Sequence, residues 1–76
     1  TLYAAHARIN LGDVAVHRER WAEAKTFYEA ALNALRPEEE SRGVSECLIG
    51  LARVALARNE TENAVTLTGE ALALYR

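Results

Sequence analysis

Residues 1–36 and 41–76 are one unit written twice, forty residues apart. Ile9, Leu11, Val14, Ala15, Arg18, Ala24, Thr26, Ala31, Leu32 and Arg36 recur as Ile49, Leu51, Val54, Ala55, Arg58, Ala64, Thr66, Ala71, Leu72 and Arg76. Ten identities in thirty-six aligned pairs are far more than coincidence supplies. An internal period in the range of roughly 20–50 residues marks a repeat protein, in which each unit buries its apolar face against its neighbours. Such a chain builds a surface for holding something. The repeat therefore points to a kind of work and leaves the partner unnamed.

The apolar spacing within each unit is helical. A first helix is expected over 2–18, with Leu2, Ala5, Ile9, Leu11, Gly12, Ala15 and Val16 on its stripe. A second is expected over 21–36, carrying Trp21, Ala24, Phe27, Tyr28, Ala31, Leu32 and Leu35 near the i, i+3, i+4, i+7 pattern. Pro37 lacks an N–H and disfavours helix at Arg36, so it closes that helix. Pro37 followed by three glutamates also reads as a helix start, because acids suit the positive end of the helix dipole. The third helix could begin anywhere from Pro37 to Ser41, and we place it over 39–58. Val44, Cys47, Leu48, Leu51, Ala55 and Leu56 form its stripe. Asn59 with Glu62 three residues on reads as a capping box for a fourth helix over 61–75, which carries Ala64, Val65, Leu67, Thr68, Ala71, Leu72 and Tyr75. No alternating strand pattern competes. Loops this short force antiparallel neighbours. The expected fold is all-α: a helical hairpin over 1–36 stacked on another over 37–76, a solenoid piece cut from a longer protein.

Half of the residues are hydrophobic, mostly Ala and Leu, which favours closely approaching helices. The net charge of −2 and the interspersed signs give no electrostatic footprint for nucleic acid. No apolar run approaches the roughly 18 residues of a membrane span, and no leader-like segment opens the chain. The single Cys47 suits a reducing compartment, so a cytoplasmic location is expected.

These spacings resemble the tetratricopeptide repeat, which has a Leu-Gly pair in its first helix and an Ala followed four residues later by an aromatic in its second. Leu11-Gly12, then Ala24 and Tyr28, match in the first unit, with Ala31 at the second small position and Pro37 near the family's late proline. In the second unit Leu51-Ala52 stands for Leu-Gly, while Ala64 and Ala71 keep the small positions. Small residues at Gly12, Ala24, Ala52 and Ala64 would let paired helices approach closely. Arg8, Ala15, Ala55 and Thr68 depart from the pattern. The period is longer than the usual form of about 34 residues. The extra length falls around 37–43 and would lengthen the third helix by one to two turns. Longer repeats of this sort look like those in the C-terminal arms of bacterial signal-transduction ATPases and LuxR-type regulators, and the stretch 42–48, with Gly50-Leu51-Ala52 and Glu70-Ala71-Leu72, carries that likeness.

The resemblance implies a protein–protein interaction scaffold or sensor arm without catalytic activity or cofactor. The alternative it implies is a self-associating or autoinhibitory segment of a regulatory ATPase or transcription regulator, joined through the open repeat end. First helices of such repeats line a groove, and the matching positions are His6, Ile9, Asn10, Asp13 and His17, then Ile49, Arg53 and Leu56, with Val16, Glu46, Gly50 and Ala57 beside them. The Lys, Arg and Asn clamp by which chaperone-binding members grip a terminal carboxylate is missing at Ile9, Asp13, Glu46 and Gly50. Asp13 and Arg53 occupy equivalent places with opposite charge, so the groove is expected to favour a bipolar segment.

The residues offer no other chemistry. His6 and His17 lie about 16 Å apart along a helix and cannot share a metal ion. Asp13 and His17, at i, i+4, read as a surface ion pair. Cys47 has no nearby His or cationic neighbour to activate it and reads as a small buried hydrophobe. Glu38–Glu40 lacks the spaced ligands and turn glycine of a calcium loop. With only two units, an apolar face of the fourth helix is expected to stay uncovered at Val65, Leu72 and Tyr75, leaving the piece marginally stable.

Overall fold

A computed structural model of the chain describes residues 2–74. It contains α1 (Leu2–His17), α2 (Trp21–Leu35), α3 (Ser41–Ala57) and α4 (Thr61–Ala73), and no strand among the described residues. The expected spans hold to within a residue or two, with the end of the fourth, at Tyr75, outside the described residues. α3, at 17 residues, is only one residue longer than α1, so the expected lengthening of the third helix by one to two turns is not seen. The connection over 36–40 is two residues longer than those over 18–20 and 58–60. Arg36 keeps right-handed helical angles in spite of Pro37, so the proline is not what reverses the chain.

All three reversals are built alike. Each places one residue in the left-handed region: Glu19 at φ 57°, Glu39 at φ 54° and Asn59 at φ 61°. In the first, the Glu19 N–H donates to the Val16 carbonyl at 3.0 Å and the Arg20 N–H to the Ala15 carbonyl at 2.8 Å. Asn59 and Glu60 repeat this with Leu56 and Ala55, and Glu39 and Glu40 with Arg36 and Leu35. This is the Schellman ending, which satisfies carbonyls orphaned at a helix C-terminus. Asn59 therefore ends α3 and does not cap α4. The N-cap of α4 is Glu60, whose side chain makes no capping bond. At α3 the cap is Glu40, whose carboxylate accepts the Gly43 N–H at 3.0 Å.

The helices stack as two antiparallel hairpins. α1 packs on α2 and α3 on α4, and α3 also packs on α2 and α1. α1 and α3 thus form one layer and α2 and α4 the other. The Cα envelope of 31 × 26 × 15 Å agrees, since two helix layers about 10 Å apart, each of Cα radius about 2.3 Å, give that least dimension. Between α2 and α4 no close backbone approach occurs among the described residues. A furrow floored by Leu51, Val54 and Ala55 separates them, and Arg36 Nη2 reaches Glu70 Oε2 across it at 3.2 Å.

Position in the stack decides burial. α3, covered by three helices, buries Val44, Cys47, Leu48, Leu51, Val54 and Ala55 in the common core with Ala5, Ile9, Ala24, Tyr28, Ala31, Leu35 and Ala71. Leu11 and Val14 of α1 are 48% and 47% exposed, whereas their equivalents Leu51 and Val54 are 8% and 2% exposed under α2. The stripe expected on α1 is thus only partly core, and Leu2 is exposed as well. At the other end Val65 and Leu72 stand open, as expected for a face without a further hairpin. Tyr75 lies outside the described residues.

Candidate functional site

The outward arc of α3 runs along the exposed Arg42, Ile49, Arg53, Leu56 and Ala57, with the half-buried Glu46 among them. Facing it on α1 are the exposed residues Asn10, Asp13 and His17 and the half-buried His6. The seam between them is where the expected groove positions fall. Asn10, Asp13, His17, Ile49, Arg53 and Leu56 are open to solvent, while Ile9 is 4% exposed and supports the floor from within the core.

A residue of the outer layer reaches into this seam. Tyr28, on α2, is fully buried, and its ring fills the space between α1 and α3. A Cβ on Gly12 would lie 2.8 Å from Tyr28 Cε1, and a Cβ on Gly50 would lie 2.6 Å from the same atom. The ring fits because both first helices carry a glycine where it passes, so backbone and aromatic face meet directly. Its hydroxyl emerges between the helices and donates to Asp13 Oδ1. Burial first, and then this bond to the Asp13 carboxylate, push the phenol well above its ordinary pKa, with Arg53 pulling the other way. The hydroxyl is thus a fixed proton donor to Asp13.

The ion pair expected between Asp13 and His17 is not formed. His6 is engaged as well, its Nε2 lying 3.2 Å from Glu40 Oε2, the oxygen that caps α3. The contact ties the entry of α3 to α1. Arg42 Nε stands 3.6 Å from Glu46 Oε1, one turn away. No cluster of three metal-ligating side chains occurs among the described residues.

Cys47 is fully buried between the layers, and that burial, followed by the Glu46 carboxylate, pushes its thiol up to about 11. A thiol held in its protonated form offers no nucleophile near neutrality. The groove contains charges, amides and apolar side chains but no base–nucleophile pair.

The role of the Tyr28 hydroxyl is the part of the site that sequence reasoning misses, since an aromatic on the α2 stripe reads only as filling between hairpins. A legible signal exists: Gly12 and Gly50 fall in consecutive first helices, on either side of a second helix with one buried tyrosine.

Comparison with known proteins agrees with the all-helical repeat fold. The family model of the tetratricopeptide repeat matches residues 3–76. No curated protein and no solved structure matches the chain.

Proposed function

We propose that this chain, which belongs to the tetratricopeptide repeat family, holds a segment of a partner protein in the groove between α1 and α3. Repeats of this family generally mediate protein–protein interaction. The observation that carries the placement is the exposure of Ile49 and Leu56 beside the Arg53 guanidinium on one arc of α3. Apolar contact area next to an oriented charge is what a recognition surface needs. His6, Asn10, Asp13 and His17 supply polar groups on the facing helix, and Ile9 supports them from below. The role is that of a scaffold or sensor arm, with no chemistry of its own, and the free Cys47 suits a reducing, cytoplasmic setting. The test is a displayed-peptide selection against the full chain, followed by amide-shift mapping of the best binder. Shifts along α1 and the outer arc of α3 are expected. Shifts confined to the α2–α4 furrow would sink the groove reading.

The open end of α4 favours a second reading. Val65 is 67% and Leu72 61% exposed, with Leu74 beside them. Such an end suits self-association, as in an arm of the ATPases and LuxR-type regulators whose long repeats this chain resembles. The α1 end does not mirror α3 closely enough for simple head-to-tail stacking, because Arg8 stands where Leu48 is fully buried, and an unpaired buried charge is strongly unfavourable. Association would thus join one α4 face to another. A concentration series in the ultracentrifuge, with Leu72→Arg as control, tests it. A wild-type chain that stays monomeric throughout removes this reading.

A further inference from the structure

The Asp13 carboxylate and the Arg53 guanidinium hold equivalent places in the two units, and equal availability would favour a bipolar ligand. The structure makes them unequal. Asp13 accepts the Tyr28 hydroxyl. Glu40 accepts from the Gly43 N–H and lies beside His6. Glu46 lies beside Arg42. Every carboxylate along this seam is engaged within the chain. Arg53 has no ion-pair partner among the described residues and is exposed. It stands four residues after Ile49 and three before Leu56, on one helical face.

We propose that Arg53 anchors a side-chain carboxylate of the bound segment, an Asp or Glu flanked by apolar residues that cover Ile49 and Leu56. This rests on the groove reading above and names its partner chemistry. A planar guanidinium with free donors matches a carboxylate in two parallel hydrogen bonds. The apolar neighbours exclude water from that pair and strengthen it. A terminal carboxylate is the poorer occupant. It needs several convergent donors, and the positions around Arg53 offer Asp13, Glu46, Gly50 and Ile49 instead. Asp13 is held by the Tyr28 hydroxyl and makes no ion pair with Arg53.

The probe is a positional-scanning library of N-acetylated decapeptides, made in parallel with amidated and with free C-termini, titrated against the full chain at low and moderate salt. Acidic residues between apolar ones are expected to bind best, more so at low salt. Arg53→Gln should weaken the best peptide by roughly five- to tenfold, and Arg53→Lys should recover only part of this. Asp13→Asn, which keeps an acceptor for Tyr28, should tighten binding by roughly twofold. Both positions are exposed, and circular dichroism verifies the fold of each variant. Groove binding that prefers basic peptides, needs a free C-terminus, ignores Arg53→Gln, or weakens in Asp13→Asn overturns this inference and leaves the groove reading standing. No shift along α1 and α3 with any peptide overturns both.

Discussion

The two units share a backbone plan and fill it differently. In the first, Tyr28 of the outer layer pushes its ring between α1 and α3, and Gly12 and Gly50 clear its path. In the second, the equivalent of Tyr28 is Thr68, whose hydroxyl turns back onto the Ala64 carbonyl at 2.8 Å. The equivalent of Gly12 there is Ala52, buried without conflict. Aromatic and glycine thus change together. The glycine is present because a ring must pass, and where the ring is absent a residue with better helix propensity takes its place. The Leu-Gly pair of one unit and the Leu-Ala pair of the other are two solutions to the same packing problem.

The largest effect should come from removing the ring. Tyr28→Ala leaves a cavity bounded by both glycines and should cost about 3–5 kcal/mol, read as a lost or strongly shifted urea transition. Thr68→Ala should change stability by less than about 1 kcal/mol, because it removes only a local bond within one helix. Comparable losses at both positions would mean that the units are packed alike after all.

The next comparison sets the covered first helix against the open one. Cys47 is buried in α3, while its equivalent Ala7 is exposed on α1. Burial raises the Cys47 thiol from 9.0 to about 11. A raised folded-state value means that the stabilisation is fully present below pH 9 and is lost as pH rises toward 11. The loss is at most about 2–3 kcal/mol. Alkaline titration of the wild type should show it, and Cys47→Ala should flatten the curve over that window. A thiol reagent should label Cys47 only at the rate of unfolding. The double variant Ala7→Cys, Cys47→Ala should be labelled at once. Fast labelling of wild-type Cys47 would contradict its burial.

Swapping the two solutions gives a finer test. Gly12→Ala alone should cost about 1–3 kcal/mol by overpacking against Tyr28. In the Tyr28→Thr background the same change should be neutral or favourable, since no ring remains and Ala gains about 1 kcal/mol over Gly in a helix. The coupling between the two substitutions, measured as a double-mutant cycle, should exceed about 1 kcal/mol. Additive values would show that Gly12 is not kept small by Tyr28.

Much of this is legible from residue order alone, and the misses have definite causes. Helical periodicity and the forty-residue repeat determine four helices and their pairing, because each stripe needs a neighbour whatever its details. Burial is not legible from one unit: Leu11 and Leu51 are the same residue in the same pattern, yet only Leu51 has a helix above it. Asn59 fits the local signature of a helix start, since Asn-x-x-Glu reads the same whether the asparagine opens one helix or ends another. The hydrogen bonds of the preceding helix decide that question. The Tyr28–Asp13 bond joins residues fifteen apart on different helices, and only the crossing of those helices brings them together. In the groove, the positions taken from the family resemblance are exposed apart from the buried Ile9 and Gly50 and the half-buried His6, Val16 and Glu46. Which charges are paired depends on contacts such as Tyr28–Asp13, His6–Glu40 and Arg42–Glu46 that only the fold brings about.

The smallest effect concerns the three turns, which compare one backbone state with two side chains. Glu19 and Glu39 hold the left-handed position that Asn59 holds in the third turn. A side chain with a Cβ is strained there by about 1–2 kcal/mol, and asparagine tolerates it better. Glycine relieves the strain but loses more conformational entropy on folding, about 0.5–1 kcal/mol. The balance should leave Glu19→Gly and Glu39→Gly more stable than wild type by about 0.5 kcal/mol, and Asn59→Gly nearly unchanged. Both glutamates lie outside the ion pairs described above, so little else is lost. The turn over 36–39 has the longer 6→1 bond, with Glu40 N 3.4 Å from the Leu35 carbonyl against 2.8 Å in the other two, so the gain at Glu39 should be the smaller of the two. Urea melts of the three single variants decide it. An equal gain at Asn59 would mean that the strain belongs to the turn and not to the glutamate, and a loss at Glu19 would mean that its carboxylate stabilises the reversal in a way its backbone angles do not reveal.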